Sequence, residues 1–225
     1  FGMAVMKWDA MDLYLPWKYF ITDMLSQNQL PLWNPFINGG FSQMGDPGTW
    51  YPVSWAVAAL FGGYSMGSLH FEYLLHLYLG GLGFYFLLKQ FGLARVALLS
   101  CATGYMLSGV MIGNAQHLGW VVSAAWLPWI VMYFLRVQQN PSIRSGLQLA
   151  LVLFLQLSGG YPGMFIVTIY ILLGFFNSAN ASAFQKMGET SLTKSNVKDW
   201  VTNSVSSAIA DDCESVLIIL FNKEI

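Results

Sequence analysis

Hydrophobic positions along this chain fall into long blocks separated by charged residues, and the blocks set the plan of elements. A helix needs about 20 apolar residues to cross the hydrocarbon core of a bilayer. Gly67 to Leu88 is one such block, closed by Lys89; Val96 to Ile112 is a second, opened by Arg95; Gly119 to Leu135 is a third, closed by Arg136. Ser145 to Leu157 is shorter, opened by Arg144, and gains a turn at each end; Pro162 to Phe176 is a fifth. Tyr51 to Tyr64 is apolar but short for a crossing. It is read as a re-entrant or interfacial helix, which lipid tolerates only at the interface or under a protein cover.

The pattern changes upstream and downstream of these blocks. Pro16 to Asn28 sets Trp17, Phe20, Ile21, Met24 and Leu25 at roughly helical spacing, the mark of a short amphipathic helix. Leu30 to Pro52 is rich in Pro, Gly and Asn and reads as loop. A loop of that length is usually functional or disordered, and its Trp, Phe and Tyr residues argue for order. Ser178 to Asp212 is polar, and Val216 to Phe221 is far too short to cross. The expected organisation is therefore an exterior segment with amphipathic and re-entrant or interfacial helices (1–66), a bundle of about five spans (67–177) and a polar tail without an assigned role (178–225). The chain opens on Phe1 without a signal-peptide pattern, so a fragment or a processed chain is expected.

Composition strengthens the membrane reading. Hydrophobic residues make up 56% of the chain and charged residues only 9%, against roughly a quarter charged in soluble domains. Too few charges remain to solvate a globular surface. The net charge of −1 gives no electrostatic footprint for nucleic acid. Cys101 and Cys213 form neither a disulfide framework nor a metal-ligand spacing. Orientation follows from the cations, because Lys and Arg concentrate in cytoplasmic loops. Lys89 and Arg95 flank one short connection, Arg136 and Arg144 another, and alternating spans put both on one side. That side is expected to be cytoplasmic. The segment before Gly67 and the loops Gly113 to Leu118 and Ser158 to Gly163 then lie outside.

Four polar groups on that outer side are candidates for chemistry. Asp9 and Asp12 stand three apart, so a helical backbone puts both on one side. Paired carboxylates serve as a general base or hold a divalent cation such as Mg or Mn; the alternative is two solvated acids on a loop. Trp8, Tyr14, Pro16 and Trp17 around them point to a shielded pocket. Glu72 and His76 share a helix face at i, i+4 near the outer end of the first span. Ionisable groups in a span are functional candidates by default, and a structural hydrogen-bonded pair is the alternative. Asn114, Gln116 and His117 form a polar cluster in a tight loop, suited to a sugar or phosphate or simply a polar loop. Gly159-Gly160-Tyr161-Pro162-Gly163 is glycine-rich but lacks the lysine and spacing of a P-loop, and a tight turn accounts for it. Neither a nucleophile elbow nor a dinucleotide fingerprint is present.

Several of these segments resemble the YfhO-type bacterial membrane proteins. The likeness lies in Trp8-Asp9-Ala10-Met11-Asp12 with Leu15-Pro16-Trp17, in Leu30-Pro31-Leu32-Trp33-Asn34-Pro35, and in Gly40, Gly45-Asp46-Pro47 and Trp50-Tyr51-Pro52. It continues through Leu75-His76-Leu77, Gly80-Gly81-Leu82-Gly83, Trp126-Leu127-Pro128-Trp129 and Gly160-Tyr161-Pro162, and so covers about residues 1–177. Such proteins are similar to GT-C glycosyltransferases. The resemblance implies an all-α polytopic transmembrane bundle with a long exterior first loop, in a bacterial plasma membrane. A carboxylate of that loop, Asp12 or Asp9, would act as base or position the acceptor. The donor would be a sugar on a polyprenyl phosphate and the acceptor an envelope polymer, lipid or protein. Lys18, Asn34, Asp46, Glu72, His76, Asn114, Gln116, His117 and Tyr161 are the expected substrate-binding residues. Two other classes compete. A transporter or lipid flippase would use Glu72 and His76 as a proton-linked site, and a non-catalytic assembly subunit would tolerate loss of either aspartate.

Overall fold

The computed structural model describes residues 8–187, with side chains as far as residue 176. Residues 188–225, the greater part of the polar tail, lie outside the described residues, as does Cys213. The described chain is mostly helical. A π-type turn, Ala10–Tyr14, runs without a break into α1, Leu15–Ser26, so Pro16 lies inside one helical path and its missing N–H goes with the wider turn before it. The expected ordered loop follows. It holds a two-residue antiparallel ladder, β1 (Trp33–Asn34) on β2 (Phe41–Ser42), and two 3₁₀ turns, Gln43–Gly45 and Pro47–Trp50. Helix α2, Pro52–Phe61, begins on a proline and stops at Gly62, whose φ of 68° needs a residue without Cβ.

Helix α3, Met66–Lys89, starts on a capping box in which Ser65 and Ser68 serve each other's backbone N–H. α4 is Arg95–Met106 and α5 Gly109–Ile112, so the second apolar block is broken at Leu107–Ser108 rather than continuous. α6 is Leu118–Gln139, α7 Ile143–Gly159 and α8 Pro162–Met187. Three stretches are long and apolar enough to cross a membrane: Met66–Lys89, Arg95–Ile112 and Leu118–Gln139. They mark the chain as a membrane protein. The apolar stretches Ile143–Gly159 and Pro162–Phe176 are shorter, and α2 shorter again.

Helices α3 and α6 form the central pair, with α4 against α3, and α7 and α8 against α6. Small residues let the pair close. A Cβ at Gly80 would press on Met111 and the Ala125 backbone, and one at Gly83 would enter the Trp129 indole. Between spans such close approach supplies the van der Waals contact that lipid does not otherwise favour. α6 also carries Pro128 in its interior, which leaves the Ala124 carbonyl without its i+4 donor. Tyr105 of α4 supplies one, its hydroxyl donating to that carbonyl at 2.7 Å. The N-terminal ends of α3, α6 and α8 and the C-terminal end of α7 meet under the residues 8–65 segment. Lys89, Arg95, Arg136 and Arg144 sit toward the other ends of their helices.

Candidate functional site

Where those helix ends meet, a cleft of about 310 Å³ opens. Asp9, just ahead of the π-type turn, Tyr14 at its end, and Trp17, Lys18 and Ile21 of α1 line it, the last four at the i, i+3, i+4, i+7 spacing of one face. The Asp46-Pro47-Gly48 turn and Tyr51 form a second wall; His117 and Trp120, with Gly159 to Pro162, form the third. The tight turn between α7 and α8 is held against α6. The Tyr161 N–H donates both to the Gly119 carbonyl at 3.1 Å and to Ser123 Oγ at 2.9 Å. Only glycine fits at Gly159 and Gly160, whose missing Cβ atoms leave room for the Tyr51 ring and for Ser123.

At the rim, Asp9 accepts a hydrogen bond from His117 Nδ1 at 2.9 Å, with side chains 49% and 34% exposed. Gln116 Nε2 approaches the other imidazole nitrogen at 3.3 Å. An amide nitrogen donates, so Nε2 accepts and Nδ1 carries the proton toward the carboxylate. Trp120 stands between His117 and Tyr161, 5.8 Å from each ring, making an aromatic wall. Across the cleft, Asp46 Oδ1 accepts from the Gly48 N–H at 2.8 Å and caps the 3₁₀ turn. Burial pushes the Asp46 carboxyl above its ordinary value, and the Gly48 bond offsets only part of that.

The floor is a buried polar network. Lys18 Nζ donates to Glu72 Oε1 at 2.5 Å and to Ser54 Oγ at 2.6 Å. Ser54 in turn donates to the same carboxylate oxygen at 2.9 Å, and the Tyr64 hydroxyl donates to Oε2 at 2.6 Å. Glu72 is fully buried and Lys18 nearly so. A lone buried charge is very costly, and a paired and hydrogen-bonded one much less. The Tyr51 and Tyr64 rings each lie 5.7 Å from the ammonium and add a cation–π contact. Burial, and after it the Glu72 charge, push both phenols up, so they stay neutral and keep their protons to donate. His76 Nδ1 meets the Glu72 carbonyl at 2.7 Å, a bond that requires the proton on Nδ1. Nε2 then accepts from the Tyr51 hydroxyl at 2.5 Å, while Tyr51 accepts from Trp126 Nε1 at 3.0 Å.

The structure therefore brings Asp9, Lys18, Asp46, His117 and Tyr161 to one cleft, with Glu72 and His76 in the network beneath and Gln116 behind His117. It does not bring Asp12, Asn34 or Asn114 there. Asp12 is exposed and outside the lining. Asn34 is buried and closes a turn by accepting from the Phe36 N–H at 2.9 Å. Asn114 donates to the Val110 carbonyl at 3.1 Å, finishing α5. Tyr14, Tyr51 and Trp120 were not singled out as ligand contacts from the sequence; helical spacing with Trp17, Lys18 and Ile21 was the available signal for Tyr14, and Tyr51 and Trp120 carried none. The divalent ion expected at Asp9 and Asp12 gains no third side-chain ligand among the described residues. Asp9 faces a protonated imidazole nitrogen.

Fold and site together define a helical membrane protein with an aromatic, carboxylate-bearing cleft at one end of its long helices. No protein-family model, no curated protein and no solved structure matches the chain.

Proposed function

We propose that this chain carries the acceptor end of a GT-C-type membrane glycosyltransferase, which moves a sugar from a polyprenyl phosphate to an envelope acceptor at the outer face of a bacterial plasma membrane. The observation that carries the reading is the Asp9–His117 pair at the rim of a cleft walled by Trp17, Trp120 and Tyr161. A sugar ring offers apolar C–H faces to such rings and hydroxyls to the carboxylates between them. In the proposed step Asp9 takes the proton of an acceptor hydroxyl. That oxygen attacks the anomeric carbon, the bond from this carbon to the phosphate oxygen breaks, and the polyprenyl phosphate leaves with the electron pair. His117 holds one carboxylate oxygen by its Nδ1–H and leaves the other to the acceptor. Lys18 has used two of its three N–H donors on Glu72 and Ser54, so one is left for a phosphate oxygen.

The geometry favours Asp9 over Asp12 as base, because only Asp9 lines the cleft. Transfer from a radiolabelled polyprenyl-phosphate sugar in native membranes tests the assignment. Asp9→Asn is expected to lower turnover by on the order of 10²- to 10⁴-fold, the usual reach of a general base, with unchanged thermal stability. Asp12→Asn is expected to stay within a few-fold of wild type. Normal transfer by Asp9→Asn overturns the assignment.

A further inference from the structure

Between Asp23 and Asp46 the chain carries no charged residue, and the ordered segment formed there has its polarity turned inside out. Asn34, Gln43 and Thr49 are buried. Thr49 donates to the Gln43 carbonyl at 2.9 Å, and Asn34 accepts from the Phe36 N–H. Leu30, Leu32, Trp33, Phe36, Phe41 and Met44 are exposed instead, Phe36 by 83% and Met44 by 61%. On β1 the division is residue by residue, with Trp33 facing out and Asn34 in. The exposed groups are held in place. The Trp33 indole lies where Gly40 lacks a Cβ, and the Phe36 ring meets Phe20 of α1 edge-on at 6.2 Å. The Trp50 indole N–H donates to the Met44 carbonyl at 3.1 Å.

Single exposed apolar residues are ordinary, but six on one short uncharged segment mark a surface that meets something apolar. A protein partner is met through a patch with a polar rim, and the segment has no charge to supply one. Its return path lies at the depth of lipid. The Tyr51 hydroxyl, which follows the segment, reaches His76, roughly three turns or about 15 Å into α3 from Met66. α3 is long and apolar enough to span a bilayer over Met66–Lys89, so the chain comes back beside the span and not above it. At the end of α2, the exposed Phe61 packs on the exposed Phe71 of α3 at 5.3 Å. The apolar outer surface of the 8–65 segment thus runs on into the surface that a span turns to lipid. Tryptophan, with its apolar ring and one N–H, concentrates where lipid meets water.

We propose that the 30–44 hairpin is a lipid-seated anchor, with Trp33, Phe36, Phe41 and Met44 entering the headgroup–acyl boundary of the leaflet at the cleft end. The Asp46-Pro47-Gly48 wall of the cleft follows closely on Met44, so the anchor holds that wall at the lipid surface. The placement does not depend on the chemistry that the cleft performs.

Site-directed fluorescence on the full chain tests the anchor, in nanodiscs of phosphatidylcholine and phosphatidylglycerol. With Cys101 and Cys213 replaced by alanine, Phe36→Cys and Met44→Cys are each labelled with an environment-sensitive fluorophore. Asn140→Cys, exposed just past the end of α6, is the reference in water. Phosphatidylcholine with a nitroxide high on its acyl chain quenches a probe in the boundary, and iodide quenches a probe in water. Both hairpin probes are expected to emit to the blue of the reference and to lose most of their emission to the nitroxide lipid and little to iodide. The reference is expected to behave in the opposite way. Quenching by iodide and not by lipid at either hairpin site puts the segment in water. A probe reached by neither quencher puts it under protein, a second copy of this chain included. Either result overturns the anchor.

Discussion

At the scale of single residues, Asp46 shows what a buried carboxylate costs the cleft wall. Its carboxyl is held above the ordinary value of 3.8 chiefly by burial. For an acid raised on folding, the ionised form is the one the fold disfavours. The unfolded chain releases its proton first as pH rises, so stability falls through the window between the ordinary and the raised value and stays lower above it. Asp46→Asn keeps the bond from the Gly48 N–H and removes the charge. It is expected to raise the melting temperature in detergent at neutral pH, with the gain shrinking to nothing below the ordinary carboxylate value. A gain that persists in acid, or none at neutral pH, contradicts this account of the site. The residue scale is also where the sequence spoke least clearly. Asp9 and Asp12 share a motif and a spacing, and only the π-type turn at Ala10–Tyr14 decides which one meets His117, 108 residues away. Asn34 ahead of Pro35 is a local turn signal, whereas nothing local in Asn114 announces that its amide is spent on the Val110 carbonyl.

At the scale of elements, helix starts were legible and helix partners were not. The apolar blocks opening at Gly67, Val96, Gly119 and Pro162 begin within a residue of α3, α4, α6 and α8, but α6 and α8 run on past the ends the blocks predict. The break at Leu107–Ser108 inside the second apolar block was not legible, because hydropathy continues across it. Glu72 and His76 were recognisable as a face, yet the cation that makes Glu72 tolerable comes from α1, 54 residues earlier. That pair ties α1 and α2 to α3 through Lys18, Ser54 and Tyr64. Removing one partner leaves the other charge buried alone, a loss of about 3–5 kcal/mol in comparable pairs. Lys18→Met and Glu72→Leu are each expected to destabilise the protein by that order in chemical unfolding in detergent. The double variant, which buries no charge, is expected to recover more than half of the summed loss. Additive losses would mean that the two charges do not depend on each other, and the network would lose its structural role.

At the scale of the whole molecule, the arrangement separates two kinds of chemistry along the long helices. The aromatic and carboxylate-bearing cleft is at one end, and Lys89, Arg95, Arg136 and Arg144 are toward the other. Cations in short connections favour the cytoplasmic side, so on this reading the cleft faces outward. Thiol labelling decides the matter in a background where Cys101 and Cys213 are replaced by alanine. Gln29 and Asn140 are both exposed and outside the cleft. A membrane-impermeant maleimide is expected to modify Gln29→Cys in intact spheroplasts and Asn140→Cys only after lysis. The reverse pattern would put the cleft in the cytoplasm, and labelling of both from outside would break the span parity. The consequence reaches the chemistry. Outside the membrane there is no ready supply of nucleotide sugars, so an outward cleft needs a donor that arrives through the lipid, with its phosphate at the interface and its tail among the helices. An inward cleft would meet nucleotide-linked donors instead, and the case for a polyprenyl phosphate would fall even if Asp9 proved to be the base.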